Sequence, residues 1–117
     1  GELMKKGKLK LLEILEKLNK VKITDKSLIW NTEIIEIMEL NNLILQSIAS
    51  VDSAIKRTES RGAHSRIDFT DRNDKKWLKH NLAWVKSNGS TKFDFRPVHL
   101  ETNDKEVESV APKARVY

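Results

Sequence analysis

The sequence contains no cysteine, which excludes a disulfide framework and any thiolate-ligated metal and suits a reducing compartment. Long apolar runs are also missing. No uninterrupted stretch approaches the roughly 18 residues that a bilayer span requires, so direct membrane insertion is not expected. The start, Gly1-Glu2-Leu3-Met4-Lys5-Lys6, is charged and leads straight into a periodic pattern, unlike a signal peptide. An opening glycine points to a segment of something longer. The P-loop, the dinucleotide-binding glycine motif, the HExxH pair and the GxSxG elbow are all absent. There are three histidines, His64, His80 and His99, and their spacing does not bring them to one metal. They are expected to be hydrogen-bonded structural or surface residues. No catalytic residue, cofactor ligand or metal ligand is assigned.

What is present is charge. The 117 residues carry 22 Lys/Arg against 17 Asp/Glu, a net charge of +5 with a pI near 9.5. A basic chain invites a nucleic-acid reading. The positives, however, alternate with acids and are shared between the two halves, whereas a phosphate-binding face would concentrate them. No nucleic-acid partner is expected, and a salt series of DNA or RNA binding would expose one. The length suffices for one small domain with a modest core.

Apolar residues Leu11, Ile14, Leu15, Leu18 and Val21 recur at three- and four-residue steps, one stripe of an amphipathic helix within residues 3–21. Gly7 argues for a start no earlier than Lys8. Lys22–Trp30 reads as a connection whose Leu28, Ile29 and Trp30 are expected to tuck under the helices. A second, longer helix is capped by Asn31 or Thr32, with Glu33 and Glu36 in its first turn. It carries a wide apolar arc through Ile34, Ile37, Met38, Leu40, Ile44, Leu45, Ile48, Val51 and Ile55, and Gly62 is its expected stop. Further on, Asp74 is expected to cap a helical turn holding Trp77 and Leu78. Asn88-Gly89 is the favoured pair for a two-residue type I′ turn, which predicts a hairpin with Trp84 opposite Phe93 and Leu82 opposite Phe95. Glu101–Tyr117 reads as an extended tail. The expected fold is therefore mainly α with a small β part. Residues 1–60 form a helical bundle region, two long helices of an incomplete three-helix bundle. Residues 61–117 form a C-terminal subdomain with the β-hairpin and tail.

One segment concentrates charge chemistry. Arg57-Thr58-Glu59-Ser60-Arg61-Gly62-Ala63-His64-Ser65-Arg66-Ile67-Asp68 gathers three arginines, two carboxylates and a histidine around a single glycine. Planar guanidinium groups bind carboxylates bidentately, so Arg57, Glu59, Arg61, Gly62, His64, Arg66 and Asp68 form a candidate structural cluster after a helix end. An enzyme would use His64 as acid or base. Composition alone favours a solvated helix end with ion pairs worth about 0–1 kcal/mol each.

Glu59-Ser60-Arg61-Gly62-Ala63-His64 resembles the signature of the succinate dehydrogenase and fumarate reductase flavoprotein subunits, shared more weakly by aspartate oxidase. Trp30-Asn31-Thr32, Glu39-Leu40-Asn41-Asn42-Leu43, Asp68-Phe69-Thr70-Asp71-Arg72-Asn73-Asp74 and Trp77-Leu78-Lys79-His80 are similar to neighbouring family blocks, in order. Pro112-Lys113-Ala114-Arg115-Val116-Tyr117 resembles the family's C-terminal ending. Thr70 and Ala111 stand where the family usually has proline. The resemblance, closest to the succinate dehydrogenase branch, implies a parent subunit that oxidises succinate to fumarate on covalently held FAD. It would pass electrons through an iron–sulfur subunit to quinone, on the cytoplasmic face of a bacterial inner membrane or the mitochondrial matrix side. The flavin and substrate residues of that family lie upstream, so this piece is expected to be structural and inactive alone. Its implied partners are the flavin-binding domain, the iron–sulfur subunit and a flavinylation assembly factor. The cluster would sit at the junction with the flavin domain, with some pairs closed internally and others facing it, so that Arg61→Ala costs the isolated chain little. Fumarate reductase, aspartate oxidase or a free-standing helical interaction module are the alternatives.

Overall fold

The structure, a computed structural model, describes residues 1–113. Two long helices come first, α1 (Glu2–Leu18) and α2 (Thr32–Lys56). A single turn, α3 (Asp74–Trp77), and an antiparallel hairpin of β1 (Lys79–Val85) and β2 (Thr91–Pro97) follow. This is the expected mainly-α chain with a small β part. Residues 98–113 contain no helix or strand, and Ala114–Tyr117 lie outside the described residues.

The helices pack along one shared stripe. Leu15 of α1 and Ile44 and Ile48 of α2 are buried, flanked by Leu11, Leu12, Leu18, Leu45 and Val85. Several sequence expectations need correction here. Gly7 lies inside α1 with open space around it and does not delay the helix. Ile14 and Val21 are exposed, while Leu12, one residue off the expected stripe, packs on the core. Met38 and Leu40 likewise face outward. Asn31 caps α2, its Oδ1 accepting from the Ile34 N–H at 3.1 Å. The helix then ends at Lys56, six residues before Gly62. Gly62, at φ +56°, instead takes the first central position of a tight turn in which Arg61 and His64 exchange both backbone hydrogen bonds. α3 is capped by the Asn73 side chain, which accepts from Lys76 N–H, and not by Asp74.

The hairpin register is slipped by one residue from the type I′ expectation. Trp84 pairs with Lys92, Ala83 with Phe93, Leu82 with Asp94 and Asn81 with Phe95. The loop has three residues: Lys86 N–H donates to Ser90 O, Gly89 N–H donates to Lys86 O, and Gly89 alone has positive φ, +79°. That is the type I turn with a following left-handed glycine, the next commonest hairpin loop after the two-residue kind. A one-residue slip sends every side chain to the other face. Phe93 and Phe95 thus face α2 and α3, while Trp84 faces outward, 52% exposed. The reason lies at the tip. Gly89 is buried against α1 and α2, and a Cβ there would sit 2.6 Å from Leu12 Cδ2 and 3.1 Å from Leu15 Cδ2. A glycine tip lets the hairpin abut the helix pair without displacing the Leu12 and Leu15 side chains. Gly89→Ala should therefore destabilise the chain by about 2–4 kcal/mol through combined overpacking and backbone strain, read as a lower urea midpoint.

Asp52 fastens the same junction. It is buried at 5% exposure, with its Oδ1 2.7 Å from Lys8 Nζ and its Oδ2 accepting from Thr91 Oγ1 at 2.6 Å. One carboxylate thus links α1, α2 and β2. By length and average apolarity α2 could cross a bilayer. In this fold its Ile44–Ile48–Asp52 stripe faces α1 and the hairpin.

A buried arginine–carboxylate joint as the candidate functional site

The joint between the helix pair and the hairpin is polar. Past Lys56 the chain leaves α2 in extended conformation, Arg57 having φ −79° and ψ 105°. This turns Glu59 inward, where it is wholly buried. Its Oε1 accepts from Arg57 Nη1 at 2.5 Å and Arg61 Nε at 2.8 Å; its Oε2 accepts from Arg61 Nη2 at 3.1 Å and the Asn73 N–H at 2.8 Å. Burial alone would raise the Glu59 carboxyl's pKa. The bonds from Arg61, the Asn73 amide and Arg57 outweigh it and hold the group below its ordinary value.

Each arginine reaches onward. Arg57 Nη1 and Nη2 donate to Trp77 O at 2.9 Å and Lys79 O at 2.7 Å, clamping the end of α3 and the start of β1 to the end of α2. Its guanidinium lies 5.2 Å from the Trp77 ring centre, and Trp77 meets Phe95 edge-to-face at 5.9 Å. Arg61 Nη2 continues to Asp74 Oδ1 at 2.5 Å, and Arg72 forks onto both Asp74 oxygens.

Arg66 builds the second half. Its side chain is 4% exposed. Nη1 donates to Ala54 O, Ile55 O and Arg57 O at 2.9, 3.2 and 3.2 Å, and Nε and Nη2 donate to Asp68 at 2.7 and 2.6 Å. The last carbonyls of a helix lack intrahelical partners and carry its negative dipole end. One guanidinium satisfies them. His64 Nε2 lies 3.2 Å from the same Arg57 carbonyl, and the Ser60 hydroxyl receives Arg66 N–H and donates to Phe69 O.

All seven residues expected from the sequence are therefore brought together in two linked halves, one around Glu59 and one around Arg66. Gly62 supplies the turn between them. The expected low cost of Arg61→Ala supposed exposed pairs; its partner is a fully buried carboxylate, so a larger cost is expected. Asp74, Arg72, the Asn73 amide and Asp52 were missed. Asp71-Arg72-Asn73-Asp74 reads as a turn on its own, although it repeats the arginine–carboxylate alternation of the cluster. Asp52 stands four residues after Ile48 on the core stripe, a position at which a lone acid signals a buried partner.

Glu59 is sealed from solvent and His64 Nε2 lies beside a backbone carbonyl, while Asp68 and Asp74 are held by arginines. Among the described residues no group of three His, Asp or Glu converges as a metal site. The network has a pH signature. Asp74, held by Arg72 and then Arg61, is lowered to about 2. The unfolded carboxyl titrates near about 3.9, so between these values the unfolded state binds more protons and stability rises with pH. Melting temperature should be flat above about pH 5 and fall between about pH 4 and 2, more shallowly in Asp74→Asn.

Over residues 1–117 the chain matches the family described as the fumarate reductase flavoprotein C-terminal region. It is 51% identical over 102 residues to the mitochondrial succinate dehydrogenase [ubiquinone] flavoprotein subunit of Oryza sativa subsp. japonica, covering 87% of this chain and 16% of the relative. It is 44% identical over 116 residues to the succinate dehydrogenase flavoprotein subunit of Rickettsia bellii, covering 99% and 20%. The fumarate reductase flavoprotein subunit of Haemophilus influenzae is 37% identical, covering 97% and 18%. A solved structure of E. coli quinol fumarate reductase superposes with a TM-score of 0.86 at 36% identity, over 99% of this chain and 19% of that one. The chain thus spans about a fifth of the length of the curated relatives it matches.

Proposed function

Because the chain belongs to the flavoprotein C-terminal family of fumarate reductases and succinate dehydrogenases, we propose that it serves as the C-terminal docking region of a succinate dehydrogenase flavoprotein subunit. The observation that carries this reading is the whole-length superposition: nearly all of this backbone follows a flavoprotein chain of which it makes up 19%. The plant and rickettsial succinate dehydrogenase subunits, at 51% and 44% identity, exceed the H. influenzae fumarate reductase at 37% and support that branch, whereas the Xenopus laevis succinate dehydrogenase subunits, at 34% and 33%, fall below it.

In this reading the parent subunit is an FAD-dependent oxidoreductase that takes succinate to fumarate. Its complex partners are an iron–sulfur subunit and a flavinylation assembly factor, and it works against the cytoplasmic or matrix face of a membrane. The flavin itself does not fit the residues described here. A dinucleotide pocket needs a glycine turn between a parallel strand and a helix, whereas Gly62 and Gly89 both serve turns and the sheet is one antiparallel pair. No step of the chemistry is assigned to these side chains. Their role is to hold a rigid shape: the Glu59 and Arg66 halves fix α2 against the hairpin, and the joint orients the whole unit against the flavin domain.

Incubated with FAD, the 117-residue chain should stay colourless. It should show no succinate-dependent dye reduction and no flavin absorbance that survives denaturation. Activity or covalent flavin in the pure chain would overturn this division of roles.

A further inference from the structure

We propose that residues 24–33 form a preshaped docking loop whose apolar tip, Leu28-Ile29-Trp30, seats in an apolar recess on the remaining part of the flavoprotein subunit. The inference rests on the reading above and names the surface that would do the docking.

The loop is built rigidly from polar groups. The Glu33 carboxylate accepts from Thr24 N–H, Thr24 Oγ1 and Asp25 N–H, the last at 2.7 Å. Asn31, 8% exposed, donates through Nδ2 to Asp25 O and Ser27 O, both at 3.0 Å, while its Oδ1 caps α2. Asp25 in turn accepts from Ser27 N–H and Oγ. These bonds brace the tip, which is directed outward: Leu28 is 97%, Ile29 77% and Trp30 92% exposed. The sequence expectation that they tuck under the helices is thus reversed. Trp30 has φ +56°, the only non-glycine in the left-handed region among the described residues. A bulky residue held there is strained, and such strain persists only where the surroundings impose it.

An apolar tip of this size facing water marks a contact surface. It continues onto α2 through exposed Ile35 and Met38. The occupant follows from two observations. The matched flavoproteins are about five times this chain's length, so most of their mass lies outside the region superposed here. The charge around the tip is also balanced: Lys20 is paired to Glu16 and Lys26 donates to Ile23 O, while Asp25, Glu33 and Glu36 offset Lys22. An anionic lipid surface would be favoured by an unpaired basic rim. A neutral rim around Leu, Ile and Trp suits a protein recess.

The test uses the 117-residue chain and the R. bellii flavoprotein subunit carrying this sequence in place of its own matching 116 residues. Hydroxyl-radical footprinting read at Trp30 takes the buried Trp77 and half-exposed Trp84 as internal references. In the isolated chain Trp30 should oxidise fastest of the three. In the flavin-loaded chimera it should fall to the level of Trp77. Trp30→Gly should melt no lower than the parent in the isolated chain, since glycine relieves the positive φ, yet the same change should lower flavin retention in the chimera. A flavin-loaded chimera whose Trp30 oxidises as fast as in the free chain overturns the docking proposal alone. So does protection of the free chain by rising concentration or by anionic vesicles, which would assign the tip to a second copy or to lipid. A chimera that folds but takes no flavin with the unaltered segment brings down the functional reading and this proposal together.

Discussion

Replacing Glu59 with alanine should bring the chain close to unfolding. The carboxylate is wholly buried and receives four hydrogen bonds, from Arg57, twice from Arg61, and from the Asn73 amide. Removing it leaves two guanidinium groups facing each other without their shared counter-charge, and a buried amide without an acceptor. Breaking a buried ion pair on one side costs about 3–5 kcal/mol, a large part of the roughly 5–15 kcal/mol that holds a domain folded. Glu59→Gln keeps the volume but turns one acceptor oxygen into a donor against the arginines, so it should recover only part of the loss. Arg61→Ala should fall between, since Arg57 and Asn73 still hold the carboxylate. For contrast, the exposed Lys5–Glu2 pair on α1 should contribute less than about 1 kcal/mol. Urea melts of the three variants give the order directly. A Glu59→Ala chain as stable as its parent would mean that the joint carries no weight.

Arg66→Ala should have an effect of similar size by a different route. It removes five hydrogen bonds, three of them to carbonyls at the end of α2, of which the Arg57 carbonyl keeps His64 Nε2 nearby. Each buried acceptor left unsatisfied costs about 1–3 kcal/mol, partly relieved by water where the helix end opens. A loss of about 3–5 kcal/mol is expected. Arg66→Lys should not rescue it, because one ammonium cannot fork onto Asp68 and cap the helix together. Amide exchange should show the last turn of α2 opening first. If Lys rescues fully, charge alone is needed and the fork geometry is irrelevant.

The long helices were legible because their apolar periodicity is strong, and the Asn31 cap because side-chain caps are written locally. The arginine–carboxylate segment was legible as a cluster from its composition. Its burial was not: exposure depends on where the chain turns after Lys56, and that turn is set by partners at Trp77 and Lys79, some twenty residues on. The hairpin register failed for a related reason. Asn88-Gly89 fits two loop types, and the choice between them lies in the contact of Gly89 with Leu12 and Leu15, far away in sequence. Leu28, Ile29 and Trp30 were assigned to the interior on hydrophobicity. In this chain their backbone is braced outward by Glu33 and Asn31, polar residues whose local bonds to Thr24, Asp25 and Ser27 leave no periodic signal.

The most direct measurement is the flavin bound per subunit by the R. bellii flavoprotein in which this sequence replaces the matching region. With the unaltered segment the chimera should hold flavin and oxidise succinate, and with Glu59→Ala it should lose both. A chimera that folds yet binds no flavin with the unaltered segment, or one that stays fully loaded with Glu59→Ala, would contradict the account.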